Sequence, residues 1–162
     1  MTGQTGPVRI YLPATLLELA PPDGGRPRAV SPRRAHAVTR ELREMFPEAD
    51  DEGLEFAAHL AAADDSLELL GRTPSAPRLR LVLTADVPAD AVRPVDDADA
   101  APSAVEVTAE VPWDAIACGH VDESAATVDV VAALAGDDAA VESLDERDLL
   151  WYDASELDAL AP

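Results

Sequence analysis

The chain has 162 residues, 32 of them Asp or Glu against 12 Lys or Arg, for a formal net charge of −20 at pH 7. Charge of that sign and size repels nucleic acid and anionic lipid, which argues against both as partners. A single cysteine, Cys118, rules out an intrachain disulfide framework, and no run approaches the roughly 18 apolar residues of a membrane span.

Residues 1–7 read as a disordered N-terminal tail and residues 8–160 as one domain. Val8 to Leu12 is a short β-type run stopped by Pro13, and Thr15 to Ala20 forms one or two helical turns ended by Pro21 and Pro22. A loop rich in Pro, Gly and Arg follows over 21–33. Arg34 to Val38 is a second short strand, after which Thr39 caps a helix running to Phe46 and closed by Pro47. The clearest helix spans Asp51 to Leu70, with Asp50 as N-cap and Gly71 beyond its end. Phe56, Leu60, Ala63, Leu67 and Leu70 recur at spacings of four and three, which predicts the buried stripe and puts His59 on the outer, solvated side.

Leu79, Leu81 and Leu83 alternate with Arg78, Arg80, Val82 and Thr84, and Val105, Val107, Ala109 and Val111 alternate with Glu106, Thr108 and Glu110. Strict alternation predicts strands with one face on a core and the other polar. Residues 88–103 between them read as a mobile acidic connection. Ile116 to Val121 is a further strand, and Glu123 to Ala135 a helix that buries Val128, Val131, Leu134 and Ala135. An acidic loop or ragged helix over 136–148 leads to a last strand, Leu149 to Tyr152, and to last helical turns from Ala154 to Leu160.

One-faced strands with several amphipathic helices predict an α+β fold. The expected form is a two-layer sandwich: a mixed sheet of about 4–6 short strands, with helices packed mainly on one face. Strand–helix–strand crossovers over 34–85 and 116–152 would make it ferredoxin-like with additions. The alternative is a three-layer α/β fold, which requires strands apolar on both faces. With 32 alanines and only six aromatic residues, the core rests on Leu, Val and Ile, and alanine lets helices approach closely.

The strands end on Thr15, Thr39, Asp86, Asp122 and Asp153. Each fits as an N-cap of the helix that follows, and Asp153 with Glu156 has capping-box spacing. Were Asp86, Asp122 and Asp153 to meet at one sheet edge, they could instead hold a hard divalent cation for metal-assisted hydrolysis. Cys118, His120 and Asp122 share one strand face and are a second set of metal candidates. However, a structural zinc site takes about four ligands, and His36 and His59 stand alone in the sequence. Cys118 and His120 lie too far apart along a strand, roughly 7 Å, for a nucleophile and its base. No familiar catalytic or phosphate-binding motif is present. Catalytic residues, cofactor-binding residues and a cofactor are therefore not assigned.

All the cations are arginines, and seven of them precede residue 48. Arg33 and Arg34 in this basic section, with Trp151 and Tyr152 on the last strand, are the candidate partner-binding residues. On a strand the two aromatics point to opposite faces, so at least one is open to a partner. The lysine-free, alanine-rich, acidic composition fits high-GC codon usage.

The runs VRIYLPATLLEL, HAVTRELREMF, DEGLEFAAHLAAADDSLELL and DLLWYDASELDAL resemble a family of small uncharacterised actinobacterial proteins, a domain of unknown function, over about residues 8–160. That family typically has proline where Arg40 stands here. The resemblance implies an uncharacterised protein and brings no catalytic residues with it. The sequence thus leads to a cytoplasmic, non-enzymatic protein-interaction domain with a homodimer as one form, and the aspartate-based hydrolase is the alternative.

Overall fold

The computed structural model describes residues 6–25 and 27–162. Most of the expected tail, residues 1–5, and Arg26 of the basic section lie outside the described residues. The strands are β1 (Val8–Ala14), β2 (Ala29–Val30), β3 (Arg34–His36), β4 (Leu81–Val87), β5 (Val92–Pro94), β6 (Ala104–Val107), β7 (Val111–Pro112), β8 (Ile116–Val121) and β9 (Leu150–Asp153). The α-helices are α1 (Arg40–Met45), α2 (Asp51–Gly71), α3 (Thr127–Leu134) and α4 (Asp138–Asp145). Short 3-10 segments, chiefly Leu16–Leu19 and Ala154–Leu160, fill several connections.

The fold is α+β, built on a seven-stranded sheet in the order β5-β6-β3-β1-β4-β8-β9, with β2 and β7 as a separate two-stranded ribbon. This corrects the expected 4–6 strands. β5 forms inside the connection expected to be mobile, and the alternating run 105–111 breaks into β6 and β7. Every pairing is antiparallel, so the sheet is not mixed. The physical reason lies in the connections. β3 and β4 each pair antiparallel with β1, so they run in one direction on either side of it, joined by α1 and α2 as a split β–α–β unit. The expected second crossover does not exist: α3 and α4 pack together as a helical hairpin and return the chain beside β8 as antiparallel β9.

One face of the sheet carries the larger core. Ile10, Leu12, Ala14, Leu81, Leu83, Ala85, Val105, Val107, Ile116 and Val121 pack there against Leu16, Leu19, Val30, Val111 and Leu157. Gly119 lets Ala154–Leu160 close on β8, because a Cβ at that position would meet Leu157 at 2.6 Å. α1 and α2 cover the opposite face, where Tyr11 and Val82 meet Leu42, Leu54, Ala58, Ala62 and Ala63. The centres of β1 and β4 are therefore buried on both sides.

α2 seats on the sheet through small residues rather than through its largest apolar ones. Leu54, Ala58, His59, Ala62, Ala63, Ser66 and Leu70 are its buried positions, whereas Phe56 and Leu60 are exposed. Of the expected stripe only Ala63 and Leu70 are fully buried, and His59 points in rather than out. Ser66 shows what the close approach achieves: its hydroxyl donates to the Ala14 carbonyl at 2.8 Å and accepts from the Leu81 amide at 3.0 Å. In α3, Val130 is buried while Val128 and Val131 are exposed, so that expected face is also corrected. Among the described residues no helix is long and apolar enough to cross a membrane.

Candidate functional site

The three strand-end aspartates do not converge. Asp86 is exposed and takes both of its contacts from Arg9, at 3.0 Å each. Asp122 is buried and accepts from the Arg80 amide at 2.8 Å, from Nε at 2.9 Å and from Nη2 at 2.8 Å. These two carboxylates lie at opposite ends of β4, about 20 Å apart at the usual rise per strand residue. Asp153 sits opposite Cys118 and caps the segment after it, accepting from the Ser155 amide at 3.0 Å and hydroxyl at 2.6 Å. Those Ser155 bonds hold its carboxyl below the ordinary range. Thr15, Thr39 and Asp153 are N-caps, while Asp86 and Asp122 serve in ion pairs instead. Cys118 and His120 share a strand face, but Asp122 turns to Arg80. Among the described residues no cluster of three or more His, Cys, Asp or Glu is placed to hold a metal ion.

The proposed partner residues are likewise dispersed. Arg33 is clamped by Glu18 and by the Pro13 carbonyl at 2.9 Å. Arg34 lies 3.5 Å from Glu106 and 3.6 Å from Asp97. Tyr152 packs half-buried against the larger core, whereas Trp151 on the opposite face is 60% exposed.

Two of the clefts that the fold assembles lie one on each flank of α2. The first, of about 750 Å³, lies beside β3 and the loop before β6, and Glu18, Arg33, Arg34, His36, Asp65 and Asp97 help to line it. His36 is buried there between two partners: Ser103 Oγ at 2.7 Å from Nδ1 and Asp65 Oδ2 at 2.6 Å from Nε2. With an ionised carboxylate accepting, Nε2 donates to Asp65, and the Ser103 hydroxyl meets the other ring nitrogen. The composition is that of a Ser-His-Asp triad, but the burial is inverted. The serine is sealed at 2% exposure and the carboxylate faces the cleft, so no nucleophile is presented. The chain of bonds instead ties β3, α2 and the loop before β6 together.

The second cleft, of about 650 Å³, opens between the N-terminal half of α2, β8 and the segment that follows α4. Tyr11, Phe56, His59 and His120 wall it, and Glu52, Glu55, Asp64, Asp145 and Asp148 ring it. The His59 and His120 rings meet edge to face with centroids 4.6 Å apart, and Phe56 stacks beside His59 at 6.1 Å. Nδ1 of each histidine is buried without a hydrogen-bond partner among the described residues. An imidazolium must carry hydrogen on both nitrogens, and here one would go unaccepted, so both rings favour the neutral form. Burial, reinforced by His120 and Arg80, pushes His59 down to about 4, and burial lowers His120 as well. Burial and then the charge of Glu55 push the Tyr11 hydroxyl up to about 12. Burial and then neighbouring Asp145 raise the Asp64 carboxyl.

The two arginines that line this cleft, Arg80 and Arg147, are already committed to carboxylates. Arg80 holds Asp122 and the Leu144 carbonyl, and Arg147 holds Asp129 at 3.0 Å and Glu123 at 2.6 Å. Among the described residues none of the five rim carboxylates has a side-chain hydrogen bond or an ion pair. No serine, cysteine, threonine or lysine is among the residues that line the cleft. With those two arginines neutralised by their own carboxylate partners, anionic ligands meet the like charge of the rim, whereas a cationic one meets carboxylates, aromatic faces and uncharged imidazoles.

Sequence reasoning missed this site because His59 and His120 are 61 residues apart and look unrelated in one dimension. A signal was present in the small residues Ala58, Ala62, Ala63 and Ser66, which mark the side of α2 that meets the sheet and carry His59 with them.

The family model of DUF6912, a family of unknown function, matches residues 8–161, and the chain belongs to that family. Comparison with curated proteins and with solved structures found no match.

Proposed function

For this member of a family without an assigned activity, we propose a non-enzymatic binding domain that recognises a cationic group in the cleft between α2 and β8. The observation that carries the reading is the five carboxylates, unpaired among the described residues, around aromatic walls whose two histidines are uncharged at neutral pH. An ammonium or guanidinium would lie against Phe56 and Tyr11, a contact worth about 0.5–2 kcal/mol, and donate charge-assisted hydrogen bonds to the rim. The neutral histidines matter because a charged pair at the floor would oppose the ligand.

Calorimetric titration with 1,4-diaminobutane, agmatine and choline at fixed ionic strength tests the reading. Saturable binding, weakened severalfold in Glu55→Gln, is the expected result. Absence of saturable binding by all three would overturn it.

A second reading, a protein-interaction domain with a homodimer as one form, is favoured by Leu150 and Trp151, both exposed on the strand that ends the sheet. Sedimentation at several protein concentrations tests the homodimer, and a strict monomer would remove that form.

A further inference from the structure

We infer that the cationic group is a lysine or arginine side chain presented by an extended basic peptide that adds as a new strand to the edge of β9. This rests on the cation-binding reading of the cleft and names its ligand class.

The two edges of the sheet are unlike. β5, at one end, carries Arg93 and terminates in Pro94, both of which discourage further pairing. β9, at the other end, pairs among the described residues only with β8, contains no proline, and has its one charged side chain, Asp153, turned to capping the next segment. Its backbone is oriented by its own cap. The Asp153 amide donates to Glu156 Oε1 at 2.9 Å, so Asp153 and Cys118 form the pair that does not exchange ladder bonds. By alternation, Tyr152 and Leu150 bond to β8, and the N–H and C=O of Trp151 point outward.

The side chains on this edge suit the same ligand. Trp151 is directly opposite His120, which places its ring on the sheet face that carries the cleft. Asp148 and Leu149 line the cleft and immediately precede β9, so its rim runs into the edge strand. An added strand would lie roughly 5 Å beyond β9 and about 10 Å from β8. From there a long cationic side chain reaches back over the indole of Trp151 toward Asp148, while apolar residues on the other face of the peptide meet exposed Leu150.

Charge decides between this occupant and a second copy of the chain. Pairing two β9 edges would set two molecules of charge −20 against each other, with both acidic rims near the seam. At a Debye length of about 8 Å those rims are only partly screened from one another. A basic peptide relieves the same repulsion.

The test uses the full chain and fluorescence anisotropy of a labelled heptapeptide, TVKVRVT, whose Lys and Arg fall on one face. Three further peptides accompany it: one N-methylated at alternate residues on its pairing edge, one methylated on the opposite edge, and the acidic TVEVEVT. Calorimetry with 1,4-diaminobutane runs in parallel. The inference expects saturable binding of TVKVRVT, at least about tenfold weakening by methylation of one edge only, as loss of backbone hydrogen bonds implies. It also expects loss of binding in Trp151→Ser and no binding of TVEVEVT. Equal binding of all three basic peptides would overturn strand addition and leave the cation reading standing. The same holds if the diamine binds and the peptide does not. Failure of both ligands would remove the cation reading itself, and a dimer abolished by Trp151→Ser would assign the edge to a second copy.

Discussion

The two flanks of α2 bury histidine in opposite ways. On one flank His36 has a partner at each ring nitrogen, and the resulting chain of bonds joins a strand, a helix and a loop. On the other, His59 and His120 press against each other with Nδ1 of both unpartnered among the described residues, beneath a rim of carboxylates that is equally unpaired there. Buried polar groups in folded proteins are overwhelmingly satisfied, and an unsatisfied one costs about 1–3 kcal/mol. The first flank has the economy of a structural tie. The second keeps a local deficit that contributes nothing to holding the fold together, and that is the physical reason for placing function there. A residue type is thus a poor guide to a site, and its unmet bonding capacity is a better one.

The largest expected effect comes from the floor of the open flank. Arg80 and Asp122 are 4% and 1% exposed at their side chains and meet through three hydrogen bonds. Arg80→Met leaves a buried carboxylate without its counter-charge and should cost about 3–5 kcal/mol in urea unfolding. The double variant with Asp122→Leu should recover much of that loss, because no buried charge then remains. If Arg80→Met is nearly neutral, this flank is solvated and its contrast with the other disappears.

Next in size is the contrast between the histidines themselves. His36→Leu strands the sealed Ser103 hydroxyl and frees Asp65, with an expected cost of about 2–3 kcal/mol. His59→Leu removes a ring with an unmet nitrogen, fills most of the same space, and should cost less than about 1 kcal/mol or stabilise. Equal losses for the two variants would break the comparison.

The pH dependence follows with a definite sign. The groups facing His59 are His120, Arg80, Tyr11, Phe56 and the carboxylates of Glu55 and Asp64. An unfolded imidazole takes its proton near 6.5, and folded His59 does so only at about 4. Between those values protons bind the unfolded chain preferentially, so stability falls as pH drops through the window and is untouched by this ring above it. The wild-type minus His59→Leu difference in urea midpoint should be level above pH 7 and turn against the wild type between about pH 6.5 and 4. A level difference throughout would show that the ring titrates as it does in water.

Much of the scaffold behind these flanks was legible before any coordinates. Asp50 caps α2 through the Gly53 amide, Thr39 caps α1, and Ile116–Val121 is a strand, because caps and short apolar runs are local signals. The packing face of α2 was not. Hydrophobicity favours Phe56 and Leu60, but a helix that must sit close to Tyr11 and Val82 presents Ala58, Ala62 and Ser66, and the large residues are turned outward. His59 was misplaced with that face, and the site with it. Connection length was equally opaque: 116–152 reads as a crossover until α3 and α4 are seen to fold back on each other. Pairing of side chains far apart in sequence is a tertiary fact with no local trace.

The smallest effects offer the sharpest comparison, since Asp64 and Asp65 are neighbours on α2 that belong to different flanks. Asp65 accepts from His36, so Asp65→Asn should cost about 1 kcal/mol of stability and leave diamine binding as it was. Among the described residues Asp64 has no hydrogen-bond or ion-pair partner, and its carboxyl is raised by burial and by Asp145, so ionising it works slightly against the fold. Asp64→Asn should therefore leave the urea midpoint unchanged or slightly higher while weakening diamine binding severalfold. The two substitutions are chemically identical and one residue apart, so differences in helix propensity or net charge cannot produce opposite outcomes. Only the flank each side chain faces can. If both variants lose stability and neither loses binding, the open flank is a second structural tie, and the cation reading falls with the contrast that supports it.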